Sequence, residues 1–134
     1  MYLIIVGAGA VSKQLISIAI EQGHRVTVIE KKEQRAREIM QEFDVQVFHA
    51  DIAQANVLEE ADIDRADTII ATTRDDSVNL MAMVLGKEHQ VKHLITLLQE
   101  AEHQKIFEKL GVKVLSDPEK LVAQKLFSFI DNTP

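Results

Sequence analysis

Tyr2-Leu-Ile-Ile-Val-Gly7-Ala-Gly9-Ala-Val-Ser12, then an apolar-rich helical segment, then Arg25-Val-Thr-Val-Ile-Glu30: this stretch decides the fold. A short apolar run leads straight into a glycine pair, as a buried strand does when it delivers a chain to a nucleotide phosphate. Gly7 allows a tight turn. Gly9 has no Cβ, so a pyrophosphate can approach the backbone closely. Ala8, Ala10 and Val11 complete the loop and open the helix. That helix aims its N-terminal N–H groups and positive dipole end at the same spot. The second strand ends on Glu30, where a carboxylate can accept hydrogen bonds from ribose hydroxyls. Ser12 stands where the G-x-G-x-x-G fingerprint has its third glycine. Serine is small enough for close helix–strand packing, and its hydroxyl can itself donate to a phosphate. A bare glycine pair is a weak signal; strand, helix, second strand and terminal acid around it make the nucleotide reading.

Strand and helix patterns alternate to the end of the chain. Residues 10–22 read as a helix with Val11, Leu15, Ile18 and Ala19 on its core face, ended by Gly23. Residues 33–43 carry Ala36, Ile39, Met40 and Phe43 at helical spacing. Further strands are expected at 45–50, 68–72, 94–98 and 112–115, and further helices at 54–61, 77–89 and 101–110. Ser116-Asp117-Pro118-Glu119 opens a last helix with a capping residue, a proline and an acid. The expected fold is α/β: a Rossmann-type, doubly wound parallel sheet of six strands in the order 3-2-1-4-5-6, with helices on both faces. The ligand should lie over the carboxyl ends of the strands. Gly7, Glu30, Asp51, Thr72 and Thr73 collect along that edge.

Composition narrows the function. The 134 residues suit one domain, with an aliphatic core. The net charge of −6 argues against a nucleic-acid surface. There is no cysteine, so disulfides, thiolate metal sites and cysteine nucleophiles are excluded. No apolar run is long enough for a membrane span, and direct membrane insertion is not expected. The expected location is cytoplasmic, with any membrane role exerted through a partner. Residues 78–85 are apolar all round, and the last helix carries Leu121, Val122, Leu126, Phe129 and Ile130 as one stripe. Both helices can pack on the sheet; the excess of apolar surface in two separate helices points to self-association. On this reading Met83 faces the partner.

Gly7-Ala-Gly9-Ala-Val-Ser12, Glu30, Ala50-Asp51, Ala71-Thr-Thr73, Asp76-Ser-Val-Asn79, Glu108-Lys-Leu-Gly-Val112 and Ser116-Asp117-Pro118-Glu119 follow one another along the chain. In this combination the whole sequence resembles the TrkA N-terminal domain, the RCK N-lobe of potassium channels and transporters. The resemblance implies a cytoplasmic regulatory domain, not an enzyme. Such domains bind NAD(H) or adenine nucleotides, form homodimers and ring assemblies, and gate a membrane-embedded potassium channel or transporter subunit. Members commonly carry a smaller C-lobe, of which this sequence shows none. The candidate site is Gly7, Ala8, Gly9, Ala10, Val11, Ser12, Glu30 with Lys31, Asp51 with Ile52, Thr72, Thr73 and Arg74. Ala10 and Leu97 stand where family members often carry basic residues. Each charged hydrogen bond to phosphate is worth about 1.5–3 kcal/mol. Their loss favours AMP or ADP, then NAD(H), over ATP. Arg74 can compensate or can be a solvated loop charge.

The remaining polar residues carry two readings each. Asp51 can meet an adenine amino group or cap a turn. Asp76 is expected to cap the helix beginning at Ser77, and Asn79 to order the loop carrying Thr72 and Thr73. Glu30 disfavours a 2′-phosphate, with Lys31 and Lys32 as a possible offset. The histidines lie on separate elements and form no metal site. The rival functions are an NAD-dependent oxidoreductase fragment, which would need a substrate domain, and an assembly module with an empty crevice.

Overall fold

Leu3, Ile4, Ile5 and Val6 are buried on both sides, as a central parallel strand requires. They form β1 (Tyr2–Val6) of a six-stranded sheet in a computed structural model that describes residues 1–131. β2 (Arg25–Glu30) and β3 (Gln46–His49) lie to one side of it. β4 (Thr68–Ala71), β5 (His93–Leu98) and β6 (Lys113–Ser116) lie to the other. The order is β3-β2-β1-β4-β5-β6 with every pair parallel, which is the expected Rossmann topology. The strands reverse direction of progress between β1 and β4, and such a switch point opens a crevice at their carboxyl ends.

Two cores flank the sheet. Ile5, Val26 and Val28 face α1 (Ala10–Glu21) and α2 (Glu33–Glu42), burying Ile16, Ala19 and Ile39. Ile4, Val6, Ile69, Leu94 and Leu98 face the other side. There they meet α3 (Val57–Glu60), α4 (Asp76–Glu88) and α5 (Gln104–Lys109), which bury Leu58, Met83 and Phe107. Gly86 lets α4 sit directly on the sheet: a Cβ there would lie 2.7 Å from Leu94 and 2.8 Å from Ile69.

Several expectations about helix faces and bounds need correction. The core face of α1 is Ser12, Ile16 and Ala19, while Val11 and Ile18 are about half exposed. Ala19 is inside as expected and Leu15 packs against the core, but the buried face is rotated from the expected one, because small Ser12 sits against the end of the strand. Met40 of α2 is likewise exposed, with Ala36 and Ile39 inside. Met83 is fully buried on α4, and Met81 and Val84 take the outward positions. The segment expected as one helix over 101–110 begins as a 3₁₀ turn at Ala101–His103 before α5. The last helix, α6 (Pro118–Asp131), has Val122, Leu126, Phe127 and Ile130 about 60% exposed. It is not laid on the sheet.

Candidate nucleotide site

Gly7 has φ +112°, and a Cβ on it would lie 2.7 Å from Thr72 Oγ1. Only glycine fits both the turn and the contact. The turn is fixed from behind. Ser12 Oγ donates to the Gly7 carbonyl at 2.7 Å and lies 2.6 Å from Thr72 Oγ1. Thr72 Oγ1 in turn is 3.1 Å from the Val6 carbonyl. Ser12 is wholly buried, so its hydroxyl is not offered to a phosphate, contrary to the sequence expectation. It joins the glycine turn to the end of β4 instead.

Gly9 caps α1 without a side-chain hydrogen bond, so the first N–H groups of the helix remain unpaired there. A Cβ on Gly9 would meet no protein atom within 4 Å. Gly7 to Val11 line a crevice of about 1090 Å³ over the strand ends. By contrast, the N-terminus of α4 is already capped. Asp75 accepts hydrogen bonds from Ser77 and Val78 N–H at 2.9 and 3.3 Å. Asp76, the expected cap, is the first helical residue. Its carboxylate accepts from the Gln99 and Glu100 N–H groups at 2.8 and 3.0 Å, tying α4 to the end of β5. Asn79 holds the β4 loop as expected. It accepts from the Thr73 hydroxyl at 2.6 Å and donates to the carbonyls of Thr73 and Leu97 at 3.0 and 3.1 Å.

Glu30 forms one corner of the crevice and is only 7% exposed. Burial pushes its carboxyl above the usual range; Arg35, the Lys31 N–H, Lys32 and His49 pull the other way. Lys31, Lys32 and Arg35 line the same corner. Lys31 pairs with Asp51 at 3.6 Å. Lys32 and Arg35 make no ion pair within 4.0 Å among the described residues. Asp51 caps a turn through the Ala53 N–H at 2.9 Å. Asp51 and Ile52 both lie off the crevice wall, and Ile52 is in the core. Thr72, Thr73 and Arg74 lie on the wall.

The sequence reading missed two parts of the site. Arg35 is one turn into α2, where it looked like any surface charge. The far wall is the other. Val78, Leu97, Gln99, Pro118, Glu119 and Val122 extend the crevice past β5 to the first turn of α6. From the sequence, Leu97 reads only as a missing basic residue.

The family model for the TrkA-N domain matches residues 3–118. The chain belongs to the TrkA-N domain family. A Trk system potassium uptake protein TrkA homolog of Methanothermobacter thermautotrophicus is 32% identical over 97% of this chain. The chain spans 60% of that relative's length. Among solved structures, the TrkA-N domain of the Escherichia coli inner membrane protein ybaL aligns with a TM-score of 0.83 at 16% identity. That alignment covers 96% of this chain and 95% of the other. The GsuK channel bound to NAD aligns at 0.75 and 19% identity, over 85% of this chain and 21% of the channel chain. GsuK bound to ADP aligns at 0.76 with the same identity, over 86% and 31%. At such identities the structural likeness establishes the fold alone. No helix among the described residues is long and apolar enough to cross a membrane.

Proposed function

We propose that this TrkA-N domain binds an adenine nucleotide in the strand-end crevice and passes its occupancy to a membrane potassium transporter or channel. The domain acts as a cytoplasmic regulator and carries no turnover of its own. One observation carries the reading: the uncapped N-terminus of α1 opens between the glycine turn and the buried Glu30. Phosphates belong on the N–H groups, and ribose hydroxyls on the carboxylate. Its relatives are potassium uptake proteins, and the solved structures of similar fold include GsuK bound to NAD and GsuK bound to ADP, which supports the reading.

Crevice length bears on which nucleotide. The walls run from β2 to the start of α6 behind β6. With neighbouring strands about 4.8 Å apart, four spacings make roughly 19 Å. Ribose over β2 and phosphates over β1 leave about 14 Å unused on the same spacing. AMP or ADP, favoured from the sequence, would leave that length empty. A dinucleotide such as NAD(H) has the reach to fill it. The cations at the Glu30 corner supply positive charge at the β2 end of the crevice.

Calorimetric titration with NAD, NADH, ADP, AMP and ATP tests the reading. Dinucleotide binding is expected, weakened by about 1.5–3 kcal/mol in Glu30→Ala through loss of hydrogen bonds to a charged group. Gly9→Ala should also weaken binding while leaving the melting temperature unchanged, since its Cβ meets no protein atom. Absence of binding by all five at millimolar concentration would rule the reading out.

A further inference from the structure

The main chain at the end of β5 is gripped from two helices. Asn79 of α4 donates to the Leu97 carbonyl at 3.1 Å. The Leu98 carbonyl accepts from the Asp117 N–H, at the entry to α6, at 2.8 Å. The Gln99 and Glu100 N–H groups donate to the two carboxylate oxygens of Asp76 at 2.8 and 3.0 Å. A charged acceptor holds an N–H more firmly than a neutral one does, so Asp76 makes the firmest of these ties. Its side chain is only 14% exposed, and His103 Nδ1 lies 3.7 Å from its Oδ2. Capping of α4 falls to Asp75, so Asp76 is not needed for that task. What it holds is the segment 97–100. Leu97 and Gln99, alternate residues of that segment, line the crevice, while Asp76 itself lies off the wall. Among the described residues, no hydrogen bond occupies the Gln99 side-chain amide.

We propose that Asp76 is a positioning residue for the second half of a bound dinucleotide. Through the Gln99 and Glu100 N–H groups it sets Leu97 and Gln99 where that half lies. The inference rests on the nucleotide reading of the crevice. With adenosine at Glu30 and the pyrophosphate on the glycine turn, the second nucleoside extends over β4 and β5. Leu97 gives it an apolar surface there, and the Gln99 amide offers both donors and an acceptor. A side chain on a loose loop loses conformational freedom when it meets a ligand. One whose main chain is already fixed loses less, and the difference appears as affinity. Asp76 supplies that fixing without touching the ligand. A mononucleotide ends at the glycine turn and gains nothing from it. Asp76 therefore supports affinity for a dinucleotide and not for ADP.

Calorimetry on the whole chain with NAD and ADP, beside amide hydrogen exchange and thermal melts, tests this. Asp76→Ala should speed exchange at the Gln99 and Glu100 amides and lower NAD affinity about ten-fold, as the loss of one or two well-placed hydrogen bonds does. ADP affinity should not change. Asp76→Asn keeps one acceptor oxygen, so its NAD affinity should fall between wild type and the alanine variant. It also carries the test where the alanine variant does not fold. Leu94→Val, a core change off the crevice wall, should lower the melting temperature without altering the ratio of NAD to ADP affinity. Equal losses for NAD and ADP overturn the inference, and so does unaltered exchange at the two amides. An NAD affinity that holds while that exchange quickens overturns it too. All three outcomes leave the nucleotide site standing. Failure of both ligands to bind wild type overturns the nucleotide reading itself.

Discussion

Glu30 is a carboxylate placed where its charge costs stability. It is buried at the end of β2, and burial raises its proton affinity above that of an ordinary carboxylate. The folded chain therefore holds this proton at pH values where the unfolded chain has released it. Stability contributed by the group is present below the ordinary carboxylate range and falls as pH rises through the raised folded value. At neutral pH the ionised group is a standing cost. Glu30→Gln should then raise the melting temperature at pH 7 and change it little at pH 4. Thermal melts at the two values read this directly, and equal shifts at both would contradict it. The variant should at the same time lose ribose affinity, because an amide accepts weaker hydrogen bonds than a carboxylate. Ligand binding favours the ionised form, so it should release a proton near this pKa, and wild-type affinity should rise with pH there. Ser12 makes the opposite case. Its place in the fingerprint was legible, its role was not. Sequence spacing does not reveal that the Gly7 carbonyl and Thr72 hydroxyl take its hydrogen bonds.

Elements were more legible than their faces. All six strands and their order follow from the alternation of apolar runs with helical spacing, because parallel strands buried on both sides leave a plain signature. Helix faces depend on the axis direction, which one chain's periodicity does not supply when apolar residues occur all round. That is why Val11 and Ile18 are outside on α1 and why Met83 is inside on α4. The Glu30 corner was legible from β2 alone, but its cation Arg35 comes from the following helix and needed the packing of α2. The α4 case gives a contrast. Met83→Asp puts a charge into a fully buried site against the sheet and should prevent folding, since an unpaired buried charge cannot be solvated. Met81→Asp, at 42% exposure, should leave the melting temperature within a few degrees of wild type. Circular dichroism melts of the two variants separate the faces. Comparable destabilisation by both would mean that the outward face of α4 is also covered.

At the scale of the whole molecule, the sheet is covered unevenly. α1 and α2 cover the β1–β2–β3 half of one face, and α4 and α5 cover the opposite face. On the α1 side, the β4–β5–β6 half carries Ile70 paired with Ile95, and Leu97 paired with Leu115. Leu115 is 49% exposed, and the other three are partly exposed. α6 leaves the end of β6 with its own apolar side chains in solvent. An open apolar sheet face and an uncovered apolar helix on one chain are complementary surfaces for a second copy, in an exchange that satisfies both. The protein should therefore self-associate, and Leu126→Asp with Phe127→Asp should yield a monomer with an unchanged melting temperature. Nucleotide should alter that equilibrium, because Pro118, Glu119 and Val122 belong to both the crevice wall and the first turn of α6. Asp117 fixes that turn: its N–H donates to the Leu98 carbonyl at 2.8 Å and its carboxylate accepts from Lys120 N–H at 3.3 Å. A ligand on this wall can bias α6 only if its affinity differs between the free and paired arrangements, and the bias is then reciprocal. Light scattering across a concentration series, with and without NAD, measures both quantities. A dissociation constant that shifts with NAD in wild type, and a monomer in the double variant, are the expected results. A wild-type monomer at every concentration, with and without NAD, would detach nucleotide binding from assembly and remove this route from the crevice to a transporter.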